Sequence, residues 1–163
     1  MLISKIQEFF MGSTVAQTIF HSTTTETIDI NGVKQQAIRK LSETPVTDYS
    51  HRILTAATNA TSTVLTFGAS NAAGQVSADE VSYVRVSNLD DTHAVRLTIN
   101  MTAAANGSFH IELPPLKSHM VCTKNAVIVP NGQNFAAYST VANIQVTTPA
   151  TSAVDIELFL VSK

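Results

Sequence analysis

The stretch from Val81 to Leu113, VSYVRVSNLDDTHAVRLTINMTAAANGSFHIEL, decides the fold class of this chain. Apolar and polar side chains alternate at period two within it, which gives each strand one apolar face and one polar face. The apolar positions of this alternation are Val95, Leu97, Ile99, Phe109, Ile111 and Leu113. Residues 88–91 and 105–107 contain the Asn, Asp and Gly that favour turns. The stretch therefore predicts three consecutive antiparallel strands.

Similar strand-like segments lie before and after this stretch. They are residues 52–55, 63–67, 118–122, 127–129, 135–138, 141–147 and 154–161. About eight to ten short strands with regularly spaced turn signals are typical of an antiparallel β-sandwich or jelly roll. We therefore expect an all-β fold in which residues 51–163 form a sandwich domain, with an exposed loop over residues 68–80. The predicted core comprises Val84, Val86, Val95, Leu97, Ile99, Phe109, Ile111, Leu113, Ile156 and Leu158.

The composition limits the size of the fold and the class of partner. The chain has 163 residues, of which 44% are hydrophobic, so it is long enough for one domain with a substantial core. Its formal net charge of -2 provides no basic field for phosphates, so we expect neither nucleic acid nor a membrane surface as a partner. The single cysteine, Cys122, cannot form an internal disulfide, which is typical of folding in a reducing cytosol.

The surface is expected to be poor in charge. The sequence holds 21 Thr and 15 Ser but only 13% charged residues, whereas the surfaces of free monomers usually carry about 25 to 35%. Buried subunit contacts are depleted of Lys, Glu and Asp, so much of this surface is expected to face other protein. The alternative is that Thr suits strands because it is β-branched, which accounts for the Thr content but not for the shortage of charge.

The N-terminal segment MLISKIQEFF has the apolar spacing of an amphipathic helix. Its apolar side is formed by Leu2, Ile3, Ile6, Phe9 and Phe10. So short a helix is marginal in water and needs a surface to lie on. We expect residues 1–50 to form an arm that contains this helix and a hairpin. The helix either packs on its own domain or anchors the subunit to a neighbour.

The hairpin is predicted from the Asn31-Gly32 dipeptide, which favours a tight two-residue turn. On the incoming side, Ile28 and Ile30 alternate with polar residues as in a strand. The outgoing segment fits the spacing of a strand and of a helix alike. Its apolar residues are Val33, Ala37, Ile38 and Leu41. We expect Pro45 to end this segment.

Few residues in the sequence suggest chemistry. His110 and Glu112 share the outward face of a predicted strand and could supply two metal ligands, but a zinc site needs three or four. The interpretation that we favour is a pair hydrogen-bonded across strands. Asn88, Asp90 and Asp91 fall together in a turn, as calcium ligands do, although turns attract these residues for backbone reasons. Because no nucleophile, phosphate-loop or dinucleotide motif occurs, we predict no catalytic residue, no cofactor and no metal.

The C-terminal strand, VDIELFLV, alternates at first and then becomes apolar on both faces at Phe159 and Val161. Such a strand lies centrally in a sheet or beneath an interface. Together with the apolar side of the N-terminal helix, its end forms the predicted contact surface. The candidate interface residues are Leu2, Ile3, Ile6, Phe9, Phe10, Phe159 and Val161.

Three segments carry a resemblance to a known class of protein: YVRVSNLDDTHAVRLTIN, FHIELPPLKSHMV and NIQVTTPATSAVDIELFLV. Over residues 81–163 the pattern resembles the small β-sandwich structural proteins of tailed-phage virions, which include capsid decoration (cement) proteins and head or tail accessory proteins. The resemblance implies a non-enzymatic virion subunit, assembled in the host cytoplasm. It also implies a homotrimer that binds the major capsid protein or other virion proteins.

Three other functions remain open. Within the same class, the chain could be a tail or neck accessory protein. From another class, it could be a monomeric carbohydrate-binding sandwich, but such sites usually present aromatic platforms. With no Trp and only Tyr49, Tyr83 and Tyr138, the sequence offers few of these. An enzyme is the third and weakest interpretation.

Overall fold

The computed structural model describes residues 18–68, 75–102, 107–122, 141–149 and 151–163, and these residues form an all-β fold without helices. Its strands are β1 (Thr18–Ile30), β2 (Val33–Val46), β3 (Asp48–Ala56), β4 (Thr61–Gly68), β5 (Val76–Ser77), β6 (Val81–Asn88), β7 (Val95–Met101), β8 (Ser108–Leu113), β9 (Ser118–Cys122), β10 (Val141–Thr147) and β11 (Val154–Ser162). The predicted N-terminal helix and the predicted strands 127–129 and 135–138 lie outside the described residues.

The described strands form two facing sheets and a separate hairpin. One sheet has five strands in the order β5-β4-β10-β7-β8, and the other has four in the order β3-β11-β6-β9. Within the described ranges, strands β1 and β2 pair only with each other. The fold is therefore the predicted antiparallel sandwich, with a hairpin in front of it in the sequence.

The strand order of the sandwich is that of a jelly roll. Apart from the two-residue β5, the sandwich contains eight described strands, β3, β4 and β6 to β11. The first pairs with the last, the second with the seventh, the third with the sixth and the fourth with the fifth. This nested pairing, divided between two packed sheets, is the jelly-roll arrangement.

The core lies between the two sheets, where the inward faces of the strands meet. Alternating residues of β7, β10 and β11 supply most of it, as period-two burial requires. The largest fully buried side chains include Leu97, Ile99, Ile156, Leu158 and Leu160. Near the start of β11, Asp155 is exposed and Glu157 is partly exposed, as the alternation predicts. The prediction that β11 lies centrally is confirmed, because it pairs with β3 on one side and β6 on the other.

The prediction that residues 81–113 form three consecutive paired strands is wrong in one respect. Strands β7 and β8 pair as expected, but β6 belongs to the opposite sheet and pairs with β9 and β11. The turn around residues 88–93 therefore carries the chain from one sheet to the other. Alternation reveals which residues face the core, but it does not reveal which strand lies next to which.

The core prediction is also wrong for Phe109, which is 51% exposed. Its register opposite the buried Ile99 places both side chains on the same face of the sheet. However, β8 is the edge strand of the five-stranded sheet, and Phe109 stands near its start. In the described part of the chain, an edge position leaves one side of the ring without a neighbouring strand. Ile111, one step inward, is partly buried, and Leu113 is fully buried.

Two boundaries differ from the prediction. Strand β2 continues through Pro45 to Val46, because Pro45 falls within the register shift where the hairpin ladder is interrupted, so no ladder hydrogen bond is lost. The expected loop 68–80 contains the short strand β5, which runs parallel to β4 and buries Ser77 and Ala78 against the core. Of that expected loop, residues 69–74 lie outside the described part of the chain.

The hairpin prediction is confirmed, and the ambiguous outgoing segment is a strand. Ile30 pairs with Val33 across a two-residue turn, in which Asn31 has φ 53° and Gly32 has φ 81°. Positive φ at both turn residues defines a type I′ turn, whose twist matches that of paired strands. The Asp29 side chain also accepts a hydrogen bond of 3.0 Å from the Gly32 amide.

Candidate interface: the hairpin arm and the outer sheet face

The two strands β1 and β2 form a long ribbon, here called the hairpin arm. Its register is unbroken from the Phe20–Glu43 pair to the turn, so paired residues share a face. One face is directed toward the sandwich and is called the inner face. It consists of Phe20, Ser22, Thr24, Glu26, Ile28, Ile30, Val33, Gln35, Ala37, Arg39, Leu41 and Glu43. Its residues near the base of the arm are partly buried, while the opposite face is exposed throughout.

The base of the arm packs on the outer face of the four-stranded sheet. Phe20 and Leu41 lie against a small cluster of the buried residues Val46, Tyr83 and Val161. The Phe20 ring lies 4.9 Å from the Tyr83 ring and 5.8 Å from the Phe159 ring, measured between centroids. Aromatic pairs at such distances stabilise a contact beyond the area they bury. The base of the arm is therefore attached by a second, smaller apolar core.

Polar contacts also attach the base. The Lys163 ammonium forms an ion pair of 2.9 Å with the Glu43 carboxylate, and the two side chains are 31% and 12% exposed. The Thr47 amide donates a hydrogen bond of 3.1 Å to the Ser162 carbonyl, so the link between β2 and β3 is tied to the end of β11. These contacts fix the direction in which the arm leaves the sandwich.

The outer half of the arm lies away from the body of the protein. Every residue from Thr25 to Arg39 is exposed. The exposed aliphatic residues there are Ile28 (55%), Ile30 (51%), Val33 (62%) and Ile38 (56%). Ile28, Ile30 and Val33, here called the arm tip, share the inner face, whereas Ile38 lies on the opposite face. A two-stranded hairpin is at best marginally stable in water, so an arm of this length with an uncovered apolar tip is suited to contact with other protein.

Beside the base of the arm, the outer sheet face carries a polar network around Glu157. Its Oε1 lies 2.9 Å from His51 Nε2, and its Oε2 accepts hydrogen bonds from Arg85 Nη2 at 2.7 Å and Ser87 Oγ at 3.0 Å. Burial by itself raises the pKa of Glu157, but the hydrogen bonds from His51 and Ser87 and the charge of Arg85 outweigh it, so this pKa lies below its ordinary value. Arg85 also stacks over the Phe159 ring, 5.6 Å from its centroid. The network joins strands β3, β6 and β11 on the sheet surface next to the arm.

On the outer face of this sheet, two exposed apolar side chains of β3 lie on either side of His51. On β3, Tyr49 and Ile53 are 63% and 61% exposed. Their register opposite Val161 and Glu157 places them on the same outer face as the arm contact. These two residues are here called the β3 patch. Among the described residues, β3 pairs only with β11, so the other edge of β3 has no strand partner there.

A groove of about 470 Å³ lies between the arm and strand β9. Its apolar wall is formed by Leu41 of the arm and Met120 of β9, and its polar lining includes Ser22, Thr24 and Arg39. Since Phe20 contacts residues of β6 and β11 whereas Ser22 and Thr24 lie near β9, the arm crosses the sheet from its centre toward the β9 edge.

The structure describes only some of the predicted interface residues. Phe159 and Val161 do lie beneath a contact surface, but the surface covering them is the chain's own arm, with Val161 1% exposed. Phe159 is partly buried there, and the assignment of both residues as contact residues between chains stays a prediction. The five candidates between residues 2 and 10 lie outside the described residues.

The His110 and Glu112 pair does not form a ligand set. His110 Nδ1 lies 3.0 Å from Thr98 Oγ1 across the strand pair, and its Nε2 lies 3.2 Å from Ser108 Oγ. Glu112 and Arg96 line a shallow groove of about 450 Å³ on the outer face of the five-stranded sheet. A cross-strand hydrogen bond was expected for His110, and its partner is Thr98.

The 88–91 turn is organised by its own hydrogen bonds. The buried Asn88 amide nitrogen lies 2.8, 3.1 and 3.3 Å from the carbonyls of His93, Leu113 and Pro114, and its Oδ1 accepts from the Asp90 amide at 3.0 Å. The side chain thus joins the crossover between the sheets to the end of β8. It serves as a structural junction.

Asp90 uses one carboxylate oxygen in the same turn. Its Oδ1 accepts hydrogen bonds from the Thr92 amide at 2.8 Å, the Thr92 hydroxyl at 3.0 Å and the His93 amide at 2.6 Å. The backbone hydrogen bonds from Thr92 and His93 lower the pKa of Asp90 to about 2. Within the described ranges, no group of three or more His, Cys, Asp or Glu residues is arranged to hold a metal ion.

Comparison with protein families, with curated proteins and with solved structures finds no match to this chain. No helix in the described part of the chain is long and apolar enough to cross a membrane. The interface residues must therefore be judged from their geometry.

Proposed function

We propose that this chain is a non-enzymatic structural subunit of a virion, a capsid decoration or cement protein that binds neighbouring shell subunits. It acts as a homo-oligomer, a trimer by the resemblance given above, and reaches the particle by assembly in the host cytoplasm. Its work is contact between proteins, without a cofactor or a reaction.

The observation that carries the proposal is the hairpin arm. A fold that needs only its sandwich to bury a core has no structural need for a ribbon whose outer half, residues 25–39, is exposed throughout. The arm tip exposes more than half of each of its three aliphatic side chains. Monomeric soluble proteins seldom combine clustered apolar residues with a projecting segment, and such features mark sites of protein contact.

Two further features support the same function. Jelly rolls are the architecture of many viral capsid domains, although they also occur in lectins and cupins, so this support is an analogy of fold. The sequence is also poor in charge, at 13%, which suits a surface that other subunits cover.

Immunogold electron microscopy tests the proposal directly. Antibodies raised against the recombinant chain should label particles purified from a lysate of infected host cells, and an antibody against an unrelated host protein serves as the control. Label over the head supports a decoration protein, and label confined to the neck or tail replaces it with an accessory protein of the same virion. Recovery of the chain only in the soluble fraction, away from any particle, would refute the virion role.

A further inference from the structure

The turn of the hairpin arm joins an exposed asparagine to a glycine. Asn31 and Gly32 form the two-residue turn, and both are exposed. A Cβ placed on Gly32 would have no non-neighbouring atom within 4 Å, so the space on this side of the turn is open. Because Gly32 lacks a side chain, it presents no steric barrier between its own amide nitrogen and the side-chain carbonyl carbon of Asn31. Bond formation between these two atoms is the first step of asparagine deamidation.

The other asparagines in the described part of the chain lack this combination. Each of them is followed by a residue with a side chain. Asn88 and Asn100 also hold their side-chain amides in hydrogen bonds within the sandwich. Asn59 is the best comparison, because it is exposed and its φ of 51° matches the 53° of Asn31, but Ala60 follows it. Among the described asparagines, Asn31 is therefore the one most open to attack by the next amide nitrogen.

In the folded turn, the attacking nitrogen is held by a hydrogen bond. The Gly32 amide donates this bond, of 3.0 Å, to Oδ1 of Asp29. Attack on Asn31 requires loss of the amide proton. A bonded carboxylate opposes that loss, because it holds the proton and because its negative charge disfavours a nitrogen anion. The closed turn therefore protects Asn31, and the reaction proceeds when the end of the arm opens. Such opening is expected, since an isolated two-stranded ribbon is at best marginally stable.

We propose that Asn31 is a site of spontaneous deamidation whose rate is set by the hydrogen bond between Asp29 and Gly32. The Gly32 nitrogen loses its proton and bonds to the side-chain carbonyl carbon of Asn31, and the side-chain amide takes up a proton and leaves as ammonia. Water then opens the resulting succinimide ring. Addition of water at the side-chain carbonyl gives aspartate, and addition at the main-chain carbonyl gives isoaspartate. One water is consumed and one ammonia is released, without an oxidant or a reductant.

Both products change the arm tip. Each places a negative charge in the turn, between the exposed Ile30 and Val33. Isoaspartate also routes the main chain through its Cβ, which lengthens the turn and disrupts the type I′ geometry that pairs these two residues. Burying an unpaired charge is unfavourable, so deamidation should weaken any apolar contact made through the tip. This consequence rests on the proposed function, whereas the reaction itself does not depend on it.

Mass spectrometry of the full chain, incubated at neutral pH, tests the site. Trypsin releases residues 6–34 as a peptide in which Asn31 is the sole asparagine, so replacement of its amide by an acid is read directly. Asn59 in the same digest is the internal control. In the folded wild type, Asn31 should convert faster than Asn59. Its conversion should be faster still in urea, where the turn is absent. Isoaspartate should appear among the products, because direct hydrolysis of the amide gives aspartate alone.

Variants of the arm test the control by Asp29. Asp29→Ala removes the acceptor, and it should speed conversion of Asn31 in the folded chain about tenfold or more, the factor that a hydrogen bond to a charged group is worth. In urea it should convert at the wild-type rate. Thr27→Ala is the matched control, because Thr27 is exposed on the same strand and face but lies farther from the turn. Its folded chain should also convert at the wild-type rate.

Amide hydrogen exchange along β1 and β2 should first show that the arm remains formed in each variant. If it does not in Asp29→Ala, Asp29→Asn takes its place, since it keeps an oxygen acceptor and removes the charge. This variant should still convert faster than the wild type.

Four results would overturn the inference. They are conversion of Asn31 no faster than that of Asn59, aspartate as the sole product, a folded rate unchanged by loss of the Asp29 charge, and equal acceleration by Thr27→Ala. Particle labelling is a separate measurement, so the two proposals fail independently. A chain that labels particles but keeps Asn31 intact refutes only the deamidation site. A chain that deamidates as expected but is absent from particles refutes only the virion role.

Discussion

Replacing Phe20 by Ala should release the hairpin arm from the sandwich. The Phe20 ring is the arm's contribution to the aromatic cluster at its base, 4.9 Å from Tyr83 and 5.8 Å from Phe159. Its strand partner Glu43 holds an ion pair with Lys163, which the substitution leaves in place. The change therefore isolates the aromatic contribution to arm docking.

The magnitude follows from the area that the ring covers. An aromatic side chain buries about 150–250 Å² when enclosed, so the partly buried Phe20 covers roughly 100 Å², worth about 2.5 kcal/mol. Each of the two ring contacts adds about 0.5–1.5 kcal/mol. Because Ala retains the Cβ contact, we expect a loss of about 3 kcal/mol, at the lower end of the usual range for Phe→Ala. This raises the undocked fraction of the arm roughly 100-fold.

Amide hydrogen exchange measures this change segment by segment. Exchange in β1 and β2 should accelerate by about two orders of magnitude, while the central strand β11 keeps its protection. Ile28→Ala is the matched control, because Ile28 lies on the same strand and face but is 55% exposed at the tip. It should change the free energy of arm opening, as measured by exchange in the free monomer, by less than about 0.5 kcal/mol.

Two results would refute this reasoning. If exchange in the arm is unchanged in Phe20→Ala, the aromatic cluster does not hold the arm. If the amides of β6 and β11 accelerate as much as those of the arm, then arm and sandwich open as one cooperative unit, and the arm is not a separately docked element.

Three further substitutions test other parts of the structure. The folded-state pKa of Glu157 lies below the ordinary value of 4.5. Its stabilising contribution is therefore present above that value and is lost as the pH falls through the lower folded-state pKa. Urea unfolding at about pH 6 to 3 should show a smaller acid-induced loss of stability in Glu157→Gln than in the wild type. Asn88→Ala removes the donor shared by three carbonyls at the crossover and should cost about 2–3 kcal/mol in the same assay, an estimate that fails if the midpoint does not move. In Gly32→Ala the new Cβ has open space around it, so the loss of stability arises from the positive φ of 81° and should be about 1–2 kcal/mol. Amide exchange at the end of the arm should be faster in this variant. Unchanged exchange there would argue against the type I′ turn.

The alternating pattern predicted strands and their buried faces well, because these depend on local geometry. Leu97 and Ile99 on β7 and Ile156 and Leu158 on β11 are buried as the period of two requires. The assignment of strand partners was less successful, because pairing is decided by residues distant in sequence. Thus β6 pairs with β9 and β11 and not with the strand that follows it, although nothing in its own residues indicates this pairing.

The candidate site was predictable only in part, for a similar reason. Asn31-Gly32 identified the hairpin because a type I′ turn requires positive φ at both positions. The sequence could not show that Ile28 and Ile30 would remain exposed, since apolar alternation looks the same in a covered strand and in an uncovered one. Nor could it join His51, Arg85 and Glu157, which are single polar residues in three separate strands. The length of the two segments that flank the turn was the one available indication that the hairpin would extend beyond the sheet on which its base packs.

The nested pairing of the jelly roll has a kinetic consequence. Strand β3 pairs with β11, so residues such as Ala56 and Val154 must meet across about 100 intervening positions before the four-stranded sheet can close. Folds dominated by such distant pairings fold in milliseconds to seconds, because the loop entropy must be overcome before the contacts form. The arm joins adjacent residues through a tight turn, and hairpins form within about 1–10 μs. The ribbon is therefore expected to exist transiently before the surface on which it rests, and conditions that slow closure of the sandwich should expose its apolar tip to premature association.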